Sequence, residues 1–108
     1  MNQEMNELLQ IETQIVEVLK EVYDPEIPVN VYDLGLIYNI EVGSDNDVVV
    51  TMTLTAPNCP IADEILIQVK EAVESIKEVK SVRVDLVFDP PWSMDSMTEE
   101  AKLELGML

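Results

Sequence analysis

Cys59 is the single thiol of a chain that contains no histidine, which makes it the sequence's only soft nucleophile. It stands in Thr55-Ala56-Pro57-Asn58-Cys59-Pro60, a proline-stiffened connection that the surrounding pattern places between a strand and a helix. A helix N-terminus offers free amides and partial positive charge that stabilise a thiolate, so this position favours reactivity. Asp63 and Glu64, in the same predicted first turn, oppose that effect by like charge. The plain alternative is a small buried side chain that only packs. Oxygen donors come from Asp24-Pro25-Glu26, and Asp33 precedes Leu34-Gly35. Such carboxylates ordinarily cap turns or face water. If the loop after the first helix folds over the sheet, however, Asp24, Glu26, Thr55 and Cys59 form one pocket of hard and soft ligands. Trp92, beside Pro90 and Pro91, reads as a plug over the end of the core, or functionally as a partner-binding anchor.

The remaining composition excludes most familiar chemistries. Without histidine there is no Ser-His-Asp triad, no Cys-His pair and no imidazole proton shuttle. One cysteine excludes an internal disulfide, a CxxC redox pair and a thiolate metal cage within one chain. The 22 acidic and 6 basic residues give a formal charge of −16. That charge repels phosphate backbones and anionic lipid, so no nucleic-acid or membrane role is expected, while basic partners are favoured. No apolar run approaches the roughly 18 residues of a membrane span, and the N-terminus lacks a signal-peptide layout, so a cytoplasmic location is expected.

The elements that must position these residues follow from periodicity. Residues 1–7 are polar and expected to fray. From Leu8, the positions Leu8, Ile11, Ile15, Val18, Leu19 and Val22 trace one helix face, which Asp24-Pro25 is expected to end. Leu36, Tyr38, Ile40 and Val42 alternate as a strand. After the turn at 43–47, Val48, Val50, Met52 and Leu54 form a second strand, antiparallel to the first. Ile61, Ile65, Leu66, Val69, Ala72, Val73 and Ile76 mark a second helix ending near Lys77. Val82, Val84, Leu86 and Phe88 mark a third strand, which a right-handed crossover sets parallel to the second. Two prolines stop it, and Thr98 or Ser96 caps a short last helix before Gly106. The expected architecture is a single α/β (α+β) domain over 1–108. It has two layers, helices on a small mixed sheet, in the order helix-strand-strand-helix-strand-helix.

Four motifs in order, Asp24-Pro25-Glu26-Ile27, Asp33-Leu34-Gly35-Leu36-Ile37-Tyr38, Thr55-Ala56-Pro57-Asn58-Cys59-Pro60 and Asp89-Pro90-Pro91-Trp92-Ser93, resemble the MIP18 family of iron-sulfur-assembly domains, which includes SufT-like and PaaD-like proteins. The resemblance runs from about Ile15 to Leu108. It implies a two-layer α/β domain that takes part in maturing iron-sulfur proteins, with assembly machinery and recipient apoproteins as partners. The family's reactive cysteine falls on Cys59, its neighbouring threonine on Thr55 and its acidic loop residues on Asp24 and Glu26. Ala56 stands where the family often has a second threonine, and Asn58 where it often has glycine.

A cluster takes four ligands, typically thiolates, and this chain supplies one, so the resemblance implies a transient cluster or iron rather than a resident one. A homodimer would bring two Cys59 thiols together and still need exogenous thiols or oxygen from Asp24 or Glu26. Three readings follow. In the first, the chain is a non-enzymatic assembly factor acting through Cys59. In the second, it is an interaction adaptor with a structural Cys59, for example in assembling a multicomponent oxygenase such as that acting on phenylacetyl-CoA. The third, a thiol enzyme, lacks a nearby base and is the weakest.

Overall fold

The computed structural model describes residues 2–24, 27–55 and 62–106. Helix α1 (Asn2–Leu19) is followed by strands β1 (Ile37–Val42) and β2 (Asp47–Met52), helix α2 (Ala62–Glu74), strand β3 (Ser81–Leu86) and helix α3 (Glu99–Glu104). The element order and the α+β class are those expected. The sheet order is β1-β2-β3, with β1 and β2 antiparallel and β2 and β3 parallel. Ile11, Ile15 and Leu19 of α1 and Ile65, Val69 and Val73 of α2 are buried against Val48, Val50 and Met52 of the central strand. Those spacings set one stripe of each helix on one face of the sheet.

Four local expectations need correction. Helical backbone begins at Asn2, ahead of the apolar periodicity and through residues expected to fray. No proline or glycine interrupts 2–8, and helix propagation needs only local hydrogen bonds. The same helix ends at Leu19, five residues before Asp24. Glu21 and Val22 donate to the carbonyls three residues back, and the chain then turns outward into an antiparallel bridge between Tyr23 and Asn30. Val22 remains buried, so its periodicity was genuine while the helix was not.

In β1 the register slips between Ile37 and Asn39. This bulge sets Ile37 opposite Met52 on the core face and re-aims Tyr38, whose hydroxyl donates to the Pro90 carbonyl at 2.7 Å. Finally, β3 stops at Leu86, and Phe88 stands 45% exposed beyond it.

The segment 27–36 has no regular structure, yet it places Val29, Val31, Leu34 and Leu36 in the core. Its turns are closed from within. The Asn30 amide donates to Asp33 Oδ2, and Asp33 N–H donates back to Asn30 Oδ1, both at 2.8 Å. At Gly35 the backbone has φ +82°, and a Cβ there would run into the Ser96 carbonyl. The left-handed conformation and the close approach both require glycine. The tail ends in α3, where Thr98 accepts the amide of Ala101 as its N-cap, as the sequence predicts, and buries Ala101.

Gly35→Ala therefore loses at least about 1–2 kcal/mol from the left-handed backbone alone, with the Ser96 clash in addition. Urea unfolding followed by Trp92 fluorescence checks this; a loss confined to the backbone cost would show that the tail does not press on Gly35, and an unchanged midpoint would refute both costs.

Candidate functional site

Strand β2 runs out of the sheet at Met52 and continues through Thr53, Leu54 and Thr55 toward the segment that carries Cys59. Beside it, β3 runs out in the same direction because the two are parallel, and Val87 N–H donates to the Met52 carbonyl at 2.8 Å. The two C-terminal strand ends thus leave the sheet together. Thr53, Leu54, Thr55, Phe88, Pro91 and Trp92 line a cleft of about 230 Å³ there. Outside the C-terminal edge of a sheet is where α/β folds commonly build sites, because successive strands deliver their following loops to one place.

Trp92 forms one wall. Its ring packs on the core, and its indole N–H donates to the Leu34 carbonyl at 2.6 Å, across 58 residues of sequence. That bond fixes the orientation of the ring within the chain. Thr55 is half-buried on the same cleft. Phe88 presents an exposed ring at the rim. Together they make a mostly apolar recess.

Asp24 is buried, at 8% exposure, in the bridged loop after α1. Its carboxylate accepts the Ile27 amide at 3.1 Å, and its own amide donates to the Val29 carbonyl. It is not among the cleft-lining residues above, so Thr55 and Trp92 converge while Asp24 serves the neighbouring turn. Glu26 and Cys59, the other two members of the expected pocket, lie outside the described residues. Among the described residues, no group of three or more Cys, Asp or Glu side chains could hold a metal ion. Of the tail methionines, Met97 is buried and Met94 exposed.

Thr53 was missed by sequence reasoning. Its side chain is fully buried, and its Oγ1 has no hydrogen-bond partner among the described residues. Strand alternation assigns it to the open face with Thr51 and Thr55, yet it is fully buried just beyond Met52, where the regular strand ends. The one available signal was the clustering of threonines at 51, 53 and 55 just ahead of the only cysteine. A buried hydroxyl without a partner costs about 1–3 kcal/mol, an expense usually retained for a reason other than stability.

Comparison with known proteins follows this geometry. A family model described as iron-sulfur cluster assembly protein matches residues 12–86. A Porphyromonas gingivalis protein named Fe-S protein maturation auxiliary factor is 65% identical over 103 residues, covering 95% of this chain and 98% of that one. A Bacillus subtilis protein of the same descriptive name is 39% identical over 97 residues, covering 90% and 95%. The crystal structure of a domain of unknown function, DUF59, from Bacillus anthracis superposes with a TM-score of 0.85 at 36% identity, covering 92% and 94%.

Two substitutions separate the roles of the cleft residues. Thr53→Val removes the unpaired hydroxyl and is expected to raise unfolding stability by about 1–3 kcal/mol. Trp92→Phe keeps the aromatic bulk but strands the Leu34 carbonyl, and should lower stability by a similar 1–3 kcal/mol or so. Equilibrium urea unfolding monitored by circular dichroism reads both, and a Thr53→Val protein less stable than wild type would mean that the hydroxyl is satisfied in solution.

Proposed function

The chain belongs to the iron-sulfur cluster assembly protein family, and from that premise we propose that it is a non-enzymatic maturation factor that handles a cluster or iron in transit to apoproteins through Cys59. The observation that carries this reading is the 65% identity, over nearly the whole length of both chains, to a protein named for Fe-S protein maturation. Thr55, four residues before Cys59 in the sequence, lies beyond the C-terminal end of β2, and α2 begins at Ala62.

Chemistry sets the mode of action. A typical cluster takes four thiolates, and the chain holds one. The cargo therefore keeps ligands from a donor or recipient while in contact with Cys59, which makes the association transient and the transfer direct. No step needs a proton shuttle, consistent with a sequence without histidine. Thr55 orients the connection to Cys59 from the cleft. Asp24 holds the adjoining turn through Ile27, and Glu26 supplies an oxygen donor or local negative charge. Assembly machinery and recipient apoproteins are the partners this mode requires, and a reducing cytoplasm keeps the thiol free. No helix of the described residues is long and apolar enough to cross a membrane.

Anaerobic reconstitution with iron and sulfide, run on wild type and Cys59→Ser side by side, tests the proposal. Wild type should acquire iron and visible absorbance that a recipient apoprotein removes, and Cys59→Ser should acquire neither while keeping its circular dichroism. Equal iron in both proteins, or undiminished maturation of a recipient by Cys59→Ser, would refute a role for the thiol. In that case an adaptor with a structural cysteine becomes the better reading.

A further inference from the structure

Strand β3 is an edge strand whose outer side has no partner among the described residues. Its register shows which groups are free. Met52 pairs with Leu86, and Val87 N–H donates to the Met52 carbonyl. In a parallel ladder this turns the peptide groups of Arg83 and Asp85 toward β2 and those of Val82, Val84 and Leu86 outward. Alongside lies a groove of about 300 Å³ between β3 and α2, lined by Leu66, Ile67, Lys70, Val82, Arg83 and Val84. Ile67 stands 55% exposed in it.

We propose that this edge pairs with the same edge of a second copy of the chain, antiparallel about a two-fold axis at Val84, to make one continuous six-stranded sheet. The occupant follows from charge and register together. In that register Val84 faces Val84, and Val82 faces Leu86 as hydrogen-bonded pairs, so every outward peptide group of β3 is satisfied. Arg83 then faces Asp85 twice, as non-hydrogen-bonded pairs in which side chains approach most closely. Within one chain the two side chains already share a face, with Arg83 Nε 3.1 Å from Asp85 Oδ1 and Nη2 3.2 Å from Oδ2. Pairing exchanges the two intrachain contacts, one in each copy, for two across the axis.

The rest of the surface argues against other faces. A chain of charge −16 repels its own copy, and four of its six cations, Lys70, Lys77, Lys80 and Arg83, lie on α2, on β3 and between them. Repulsion is therefore weakest here. The opposite edge, β1, is broken by its bulge and carries Glu41 with no cation, which blunts it. Burial of Ile67 in the paired groove supplies an apolar contribution. The pairing does not depend on what Cys59 carries.

Analytical ultracentrifugation of the full chain over a concentration series tests this, with circular dichroism confirming that each variant folds. Wild type should reach twice the 12.2 kDa chain mass. Arg83→Glu alone and Asp85→Lys alone each set like charges against each other at both symmetric positions, and should weaken dimerisation roughly tenfold. The double variant Arg83→Glu/Asp85→Lys restores opposite charges and should recover the wild-type dissociation constant. A wild-type chain that stays monomeric throughout the series overturns the proposal. So does a dimer indifferent to the single reversals, or one that the double variant fails to restore.

Discussion

The hydrogen bond from the Trp92 indole to the Leu34 carbonyl joins the two parts of the chain that have least regular structure of their own. One is the segment between α1 and β1, which carries Asp24, and the other is the tail after β3. Two further ties run parallel to it, from Tyr38 to the Pro90 carbonyl and from the Thr98 amide to the Asp33 carbonyl. Gly35 lets the Ser96 backbone come close enough for these to form. Each such bond is worth only about 0.5–1.5 kcal/mol net. They act together with the burial of the tryptophan ring, Met97 and Ala101, which gives the tail an apolar reason to stay. Without that clamp, the wall of the cleft formed by Pro91 and Trp92 would have no fixed position.

The sheet supplies the other half of the site. Because β2 and β3 are parallel, both chains leave at one end, and the connection bearing the sole thiol begins beside Phe88 and Trp92. An antiparallel third strand would have sent the tail to the far end and left Thr55 without that wall. The Thr53 hydroxyl, without a partner among the described residues, is a local cost at the place where strand regularity ends.

Charge sets the terms of association. A formal charge of −16 on 108 residues keeps copies apart and draws basic surfaces in, so contacts with assembly partners form where complementarity outweighs long-range repulsion. The cations are gathered on and between α2 and β3, which gives the molecule one face of different electrostatic character. The only ion pair among the described residues, Arg83 with Asp85, lies there, and at 71% and 42% side-chain exposure it adds little to the stability of a single chain.

What the sequence determined by itself was whatever depends on near neighbours along the chain. The stripes of α1 and α2, the alternation of β2, the Thr98 cap and the crossover to a parallel β3 were legible because helix and strand periods are local and write themselves into spacing. The single thiol was legible too, and its chemistry is limited by composition alone. Tertiary structure decided where local signals competed with distant ones. Helix α1 stops at Leu19 because Tyr23 is needed for a bridge to Asn30, and β1 bulges so that Tyr38 reaches Pro90. The cleft that joins Thr55 to Trp92 was invisible in the sequence, and the burial of Thr53 was signalled only by the threonine cluster at 51, 53 and 55. The reason is physical. No periodicity links Leu34 to Trp92 across 58 residues, and whether a polar side chain finds a partner is settled only when the strands that carry it are packed.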